Sequence, residues 1–432
     1  MILNKIIKPK FLFIAVTLLS FFLSINLNPL DFESFNLFKK IRIISPLLLS
    51  LVFIFYRIKI LKREILNFDL LLFSLIFILY IFFNLQNSDN DLLNIFWPIY
   101  MLLGLLFINC LKDNFEKDFL IKFTIIILLI AFIFYFSLAL IDMIFRNNYH
   151  FYGVWGGRGG YSGLENPPRS SGLARMALIL YCSFALFYLT KYNKLEENYY
   201  LLILISFFGI SSLVFQSRTV SFIFLVLNII IILFYFNNFI SKKKLIFFFL
   251  LIPLILNSIY YVTVSYSIGK RFYDGENVNY DGNKKVTKPI QTLTLESIFR
   301  NKDTSSGRYK NWKLAYEKIK VSPLKGYGAQ ADRIYIKQSI HNGLIYTYLS
   351  GGLIACLLFI IIYFRTLFFL IKFLYLKKSH TNFNANFCIS ILIILNLRSV
   401  LETSFAVFSI DYLIYIIAYF LLRNNLNLNI KN

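Results

Sequence analysis

Apolar runs of roughly 17–25 residues, the length a helix needs to cross a hydrocarbon core, recur along this chain. Short polar segments separate them. Twelve such runs stand out, near 11–27, 41–56, 68–84, 92–110, 119–145, 172–190, 199–215, 219–238, 245–264, 341–364, 385–404 and 406–421. The pattern predicts an all-α polytopic membrane protein of about twelve transmembrane helices, with a large external loop before the tenth. One polar stretch, 303–352, interrupts the apolar sequence. It predicts a short amphipathic helix with Tyr309, Trp312, Tyr316 and Ile319 on one face. A turn at Pro323 follows, then a change of direction at Gly326-Tyr327-Gly328. The stretch reads as a polar cap folded onto a membrane surface, with His341 at the rim where the chain turns apolar again.

Composition agrees with a membrane protein: 58% of the 432 residues are hydrophobic, with 49 Phe and 29 Tyr. The net charge of +23 follows from basic residues gathered in loops. Lys5, Lys8 and Lys10, then Arg57 to Arg63, Lys112, Lys191, Lys242 to Lys244, Lys372 and Arg423 all fall on one side of the predicted layout. The loop at 84–91 on the other side has no positive charge. The positive-inside rule then places both termini in the cytoplasm and the long loops 146–171 and 265–340 outside. The second loop holds fifteen Lys and Arg against seven Asp and Glu, a balance suited to lipid headgroups, phosphate or an acidic glycan. No groove-reading motif points to nucleic acid. The four cysteines, Cys110, Cys182, Cys356 and Cys388, read as apolar packing residues in spans. Residues 11–27 read as an uncleaved first span.

Ionisable residues in spans are costly and mark functional candidates. Here they are Asp142, Arg175, Arg218, Arg398, Glu402 and Asp411, all towards the external side, with Arg365 near a cytoplasmic end. Their shared depth predicts a polar cavity open to the outside. Arg218 sits in the turn FQSRTVSF, where a guanidinium fork suits a diphosphate. Arg169 and Arg175 flank the sixth span and offer further anion contacts. Arg398 and Glu402, four apart on one helix, are expected to pair; His150 and His380 are assigned no chemistry. There is no Gly-rich phosphate loop and no cluster with metal-ligand spacing. The D-x-E of Asp31 and Glu33 is a weak metal signal. No internal repeat or matched pair of broken helices suggests a secondary transporter.

Taken together, S-R-T at 217–219, G-R-x-x-x-W at 307–312, S-P-L-x-G-x-G at 322–328, H-N-G-L at 341–344 and the Gly351-Gly352 pair resemble the O-antigen ligase and O-antigen polymerase superfamily of bacterial envelopes. The resemblance covers about 150–365. The loop before the sixth span often reads N-P-N in that family and reads ENPPRSSGLAR here. The resemblance implies a GT-C-like membrane glycosyltransferase that needs no metal, nucleotide or other cofactor. It divides the chain into N-terminal helices (1–145), a ligase-like core (146–364) and C-terminal helices with a tail (365–432). Its implied site is the periplasmic face of the bacterial inner membrane, and its donor a glycan on undecaprenyl diphosphate. The acceptor is lipid A–core for a ligase, or another carrier-linked repeat for a polymerase. His341 and Arg218 are the expected catalytic residues, with Arg308, Arg169 and Arg175 contacting substrate and Asn342 either orienting the histidine or binding the sugar substrate.

Overall fold

The computed structural model describes residues 9–26, 36–64, 67–87, 92–111, 113–145, 170–191, 198–215, 217–235, 247–260, 308–375, 383–402, 405–407 and 409–428. The helices among them are α1 (Pro9–Asn26), α2 (Asn36–Tyr56), α3 (Ile58–Glu64), α4 (Phe68–Gln86), α5 (Leu92–Asn109), α6 (Asn114–Phe145), α7 (Ser170–Lys191), α8 (Tyr199–Val214), α9 (Arg218–Tyr235), α10 (Arg308–Val321), α11 (Gly343–Tyr375), α12 (Phe383–Leu401) and α13 (Ile410–Leu428). A π-helical turn, Phe247–Leu251, leads into a further helix that ends at Tyr260. Where they are described, the predicted apolar runs fall on helix over most of their length. By length and composition, five helices among the described residues can cross a membrane: α4, α7, α12 and most of α6 and α11. Most of the loop at 146–171, all of 265–307, and Asp31 and Glu33 lie outside the described residues.

The chain forms two compact units, 1–128 with 310–432, and 129–309. At the centre of the first stands α13, buried on every side from Asp411 to Arg423. A helix that is apolar all round belongs in the middle of a bundle. Its tyrosines meet rings around it: Phe73 of α4 lies 5.2 Å from Tyr419, and Phe405, just before α13, lies 4.6 Å from Tyr415. Both ends of the buried stretch carry an ion pair. At one, Arg398 Nη1 donates to Asp411 Oδ2 at 2.6 Å. At the other, Asp69 accepts from Arg365 and, at 2.8 Å, from Tyr419 Oη, with Arg423 at 3.6 Å. A second cluster joins α1, α2 and α6, where buried Glu116 accepts from Arg57 at 2.9 Å with Lys10 at 3.5 Å. Asp69 and Glu116 are buried carboxylates in apolar surroundings, and partners of this kind offset the desolvation of each charge.

In the second unit, α7 packs between α8, α9 and the π-helical turn, whose existence Pro253 explains. Proline has no N–H to give to the preceding turn, so the carbonyls of Phe248 and Phe249 need other donors. Ser206 Oγ supplies one at 2.9 Å and Tyr181 Oη the other at 3.2 Å. The single Tyr181 proton is shared with Asn228 Oδ1, which lies nearer at 2.6 Å and joins α7 to α9. The proline ring lies so close to α8 that a Cβ on Gly209 would come within 2.8 Å of it.

Candidate active site

The 308–342 segment forms a small cap with its own core of Ala315, Ile319, Ala331, Ile336, Ile340 and Leu349. The face that α10 buries differs from the predicted one. Asn311, Ala315 and Ile319 point inward with Trp312 beside them, whereas Tyr309 and Tyr316 are exposed. The inward polar atoms each hold the chain just before His341. Asn311 Nδ2 donates to the Ser339 carbonyl at 3.0 Å and Trp312 Nε1 to the Ile340 carbonyl at 2.6 Å. The motif tryptophan of 307–312 therefore acts as a clamp on the histidine strand.

The second motif explains how the cap is fixed to α11. That helix is broken at Gly352, whose φ of 69° and ψ of −172° are not helical. A break leaves orphan backbone groups that must be satisfied if buried. The loop at 322–328 does this: Tyr327 N donates to the Leu349 carbonyl and Gly328 N to that of Ser350, both at 2.8 Å, and Leu353 N donates to the Pro323 carbonyl at 3.1 Å. The loop backbone can come this near only because Gly326 and Gly352 lack side chains, whereas a Cβ on Gly351 would instead meet Ala355 and Tyr80. A Cβ on Gly326 would lie 2.2 Å from the Ser350 oxygen.

His341 itself has φ of 54°, the left-handed region that costs an ordinary residue on the order of 1 kcal/mol or more. Its surroundings over-determine that conformation. Asn342 caps α11, its Oδ1 accepting from Ile345 N at 2.9 Å, while its Nδ2 donates to the Val400 carbonyl at 3.0 Å. Of the two roles expected for Asn342, these bonds fit orientation.

The imidazole so positioned meets a carboxylate that the sequence paired elsewhere. His341 Nδ1 lies 2.8 Å from Glu402 Oε2, with 27% and 13% of the two side chains exposed. An ionised carboxylate can only accept, so Nδ1 carries a proton, and in the neutral ring Nε2 is the nitrogen with the lone pair. The helical spacing predicted an Arg398–Glu402 pair; the structure places Arg398 on Asp411 and Glu402 on the histidine. The buried Arg398–Asp411 pair ties the end of α12 to the start of α13, and so fixes the turn that carries Glu402.

Within the cap lies Asp332, 0% exposed, with Arg333 Nε 3.8 Å from one oxygen. Neither carboxylate oxygen closes an ordinary hydrogen bond among the described residues. Burial pushes its pKa up to about 6, with Arg333 and nearby backbone N–H groups opposing the shift. The folded protein thus binds this proton more tightly than the unfolded chain. The contribution to stability is present below the ordinary value of 3.8 and is lost as pH rises through about 6, leaving a cost on the order of 2–3 kcal/mol above it. Asp332→Asn is expected to melt higher than wild type at neutral pH and to flatten the dependence across that window. Thermal melts of detergent-purified protein over a pH series check this; parallel curves for the two proteins would contradict it.

The predicted arginines belong mainly to the second unit. Arg218 opens α9, Arg175 lies half-buried in α7, and Arg308 is the first residue of α10, at the boundary between the units. Arg169 lies outside the described residues, and Asp142 sits near the end of α6.

Residues 199–360 match the family model described as O-Antigen ligase. Over that segment the chain is similar to the O-antigen ligases. No curated protein matches the chain. The O-antigen ligase match runs from α8 through the cap into α11, so it includes Arg218, Arg308, His341 and Asn342. Glu402 lies beyond the matched segment. The resemblance drawn from the motifs and the family match thus fall on the same part of the chain.

Proposed function

We propose that this protein is a membrane glycosyltransferase of the O-antigen ligase type, transferring a glycan from an undecaprenyl-diphosphate carrier to a sugar hydroxyl of lipid A–core. The observation that carries the reading is the His341–Glu402 pair, held under a clamped cap within or beside the segment that matches the ligase family. In the proposed step the acceptor oxygen attacks C1 of the donor sugar, and a new C1–O bond forms as the bond to phosphate breaks. The diphosphate leaves with the electron pair. The acceptor proton passes to His341 Nε2, and Glu402 stabilises the resulting imidazolium. Displacement in one step inverts the anomeric configuration.

The leaving diphosphate gathers charge as the bond breaks, and preorganised guanidinium groups stabilise it. Arg218 is assigned this role, with Arg308, Arg169 and Arg175 as auxiliary substrate contacts. The chemistry requires neither metal nor nucleotide. The site is assigned to the periplasmic face of the inner membrane, with both termini cytoplasmic, on the positive-inside argument.

The family match is equally compatible with a polymerase that extends carrier-linked repeats, and the test separates the two. Purified protein is mixed with lipid-diphosphate-linked glycan and lipid A–core, in chelator and without nucleotide, and products are resolved by gel shift. Glycan on lipid A–core supports the ligase. Longer chains on the carrier alone would replace it with the polymerase. No covalent product from folded protein with matched substrates would favour a polysaccharide or lipid transporter.

A further inference from the structure

Beyond the ligase chemistry, the cap carries a surface whose depth relative to the bilayer can be read from α11. After the break at Gly352, the exposed residues of α11 are Ile354, Leu357, Ile361, Phe364, Phe368 and Ile371. Steps of three and four put them on one continuous apolar stripe. From Leu353 to Lys372 the helix rises about 28 Å, close to one hydrocarbon thickness. The apolar span of α11 runs from Gly343 to Phe373, longer than one hydrocarbon thickness; with Lys372 at one boundary of the apolar layer, Leu353 falls at the other. Its N–H is bonded to the Pro323 carbonyl, which places Pro323 and Leu324 at the same level.

Large apolar side chains are exposed there too: Leu324 at 65%, Val321 at 80% and Leu314 at 39%. In a water-facing loop such a cluster is unfavourable. Lys310 is on the same side of α10 and Lys325 follows Leu324; Lys318 is on that side too, its ammonium 5.7 Å from the centre of the Tyr335 ring, and exposed Glu317 lies between Lys310 and Lys313 around the helix. Lys310, Leu314 and Val321 share one stripe, at steps of four and seven. The opposite flank carries Lys313, Tyr316 and Lys320, with the Lys320 ammonium 4.7 Å from the centre of the Tyr316 ring. Only the first flank combines aliphatic groups with the level fixed by Leu353.

We propose that Leu314, Val321 and Leu324 form an interfacial foot that enters the headgroup layer, where Lys310, Lys318 and Lys325 hold the headgroups of anionic phospholipids. Aliphatic groups fit the boundary between headgroups and chains, and lysines on the same face meet phosphate. The foot steadies the loop that is bonded across the α11 break, and through it the His341 strand. It does not depend on which glycan the protein handles.

The test uses the full chain in vesicles. Val321→Cys, Leu324→Cys and, as a water-facing reference, Lys313→Cys each receive a nitroxide label; the native cysteines are buried. Relative collision with oxygen and with a water-soluble nickel complex reports depth. At Val321 and Leu324, nickel access is expected to be several-fold below that at Lys313, with oxygen access higher. Equal nickel access at the three sites would overturn the foot, as would low access to both reagents at 321 and 324, which means cover by polypeptide. Phosphatidylglycerol added to phosphatidylcholine vesicles is expected to deepen the two labels. It should not do so when Lys310, Lys318 and Lys325 are all changed to Gln. The same deepening without the lysines would overturn their role.

Discussion

His341→Ala is expected to reduce glycan transfer by roughly 100- to 10,000-fold while leaving a folded protein. The side chain is partly exposed, and its interactions within the protein centre on Glu402. Removing the imidazole also relieves little of the left-handed backbone, because Asn311, Trp312 and Asn342 still grip its neighbours. The loss therefore belongs to proton transfer. Glu402→Gln keeps shape but offers Nδ1 an amide that can present a donor, so the productive tautomer is no longer enforced. Its loss is expected to be roughly a hundredfold. Transfer rates with melting curves check both variants. Near-wild-type transfer by His341→Ala would remove the histidine from the chemistry.

The largest effect on stability is expected at the junction of cap and α11. Gly352 occupies backbone space that is essentially restricted to glycine, and a Cβ there would lie 2.3 Å from the Leu324 carbonyl oxygen. Gly352→Ala must either strain that residue or push the loop away. The second course breaks the bonds made by Tyr327, Gly328 and Leu353 and leaves buried backbone groups unpaired. A loss of about 3–5 kcal/mol follows, seen as a large drop in melting temperature or failure to accumulate. Gly326→Ala should behave alike. Gly172→Ala is the contrast: a Cβ there meets nothing within 4 Å, so the helix should tolerate it. An unchanged melting temperature for Gly352→Ala would mean that the loop is not bonded across the break.

How far the sequence could be read depended on the range of the interaction. The apolar runs fall on helices because span length is a property of a contiguous segment. The glycine and histidine motifs were visible too, although not what they bind. Glycine at 326 and 352 announces close approach, but the partner backbone is about 25 residues away. Helical spacing suggested that Arg398 would hold Glu402, whereas Asp411 on the next helix meets Arg398, and Glu402 reaches a histidine 61 positions earlier in the chain. Asp69 escaped notice inside an apolar run, since its partner Arg365 lies 296 residues on. On α10, counting aromatic residues as buried hid the role of Asn311, whose amide earns its inward place by bonding a carbonyl. The arginines stand apart from this lesson, because their assignment rests on guanidinium chemistry and motif resemblance.

The most direct test of the His341–Glu402 pair as one proton-accepting unit is a double-mutant cycle on single-turnover transfer. His341→Ala, Glu402→Ala and the double variant are compared with wild type, each verified as folded. If the carboxylate acts only through the imidazole, the double variant is no slower than His341→Ala alone. Losses that multiply would mean that the two residues act independently, and the pair would not be the base.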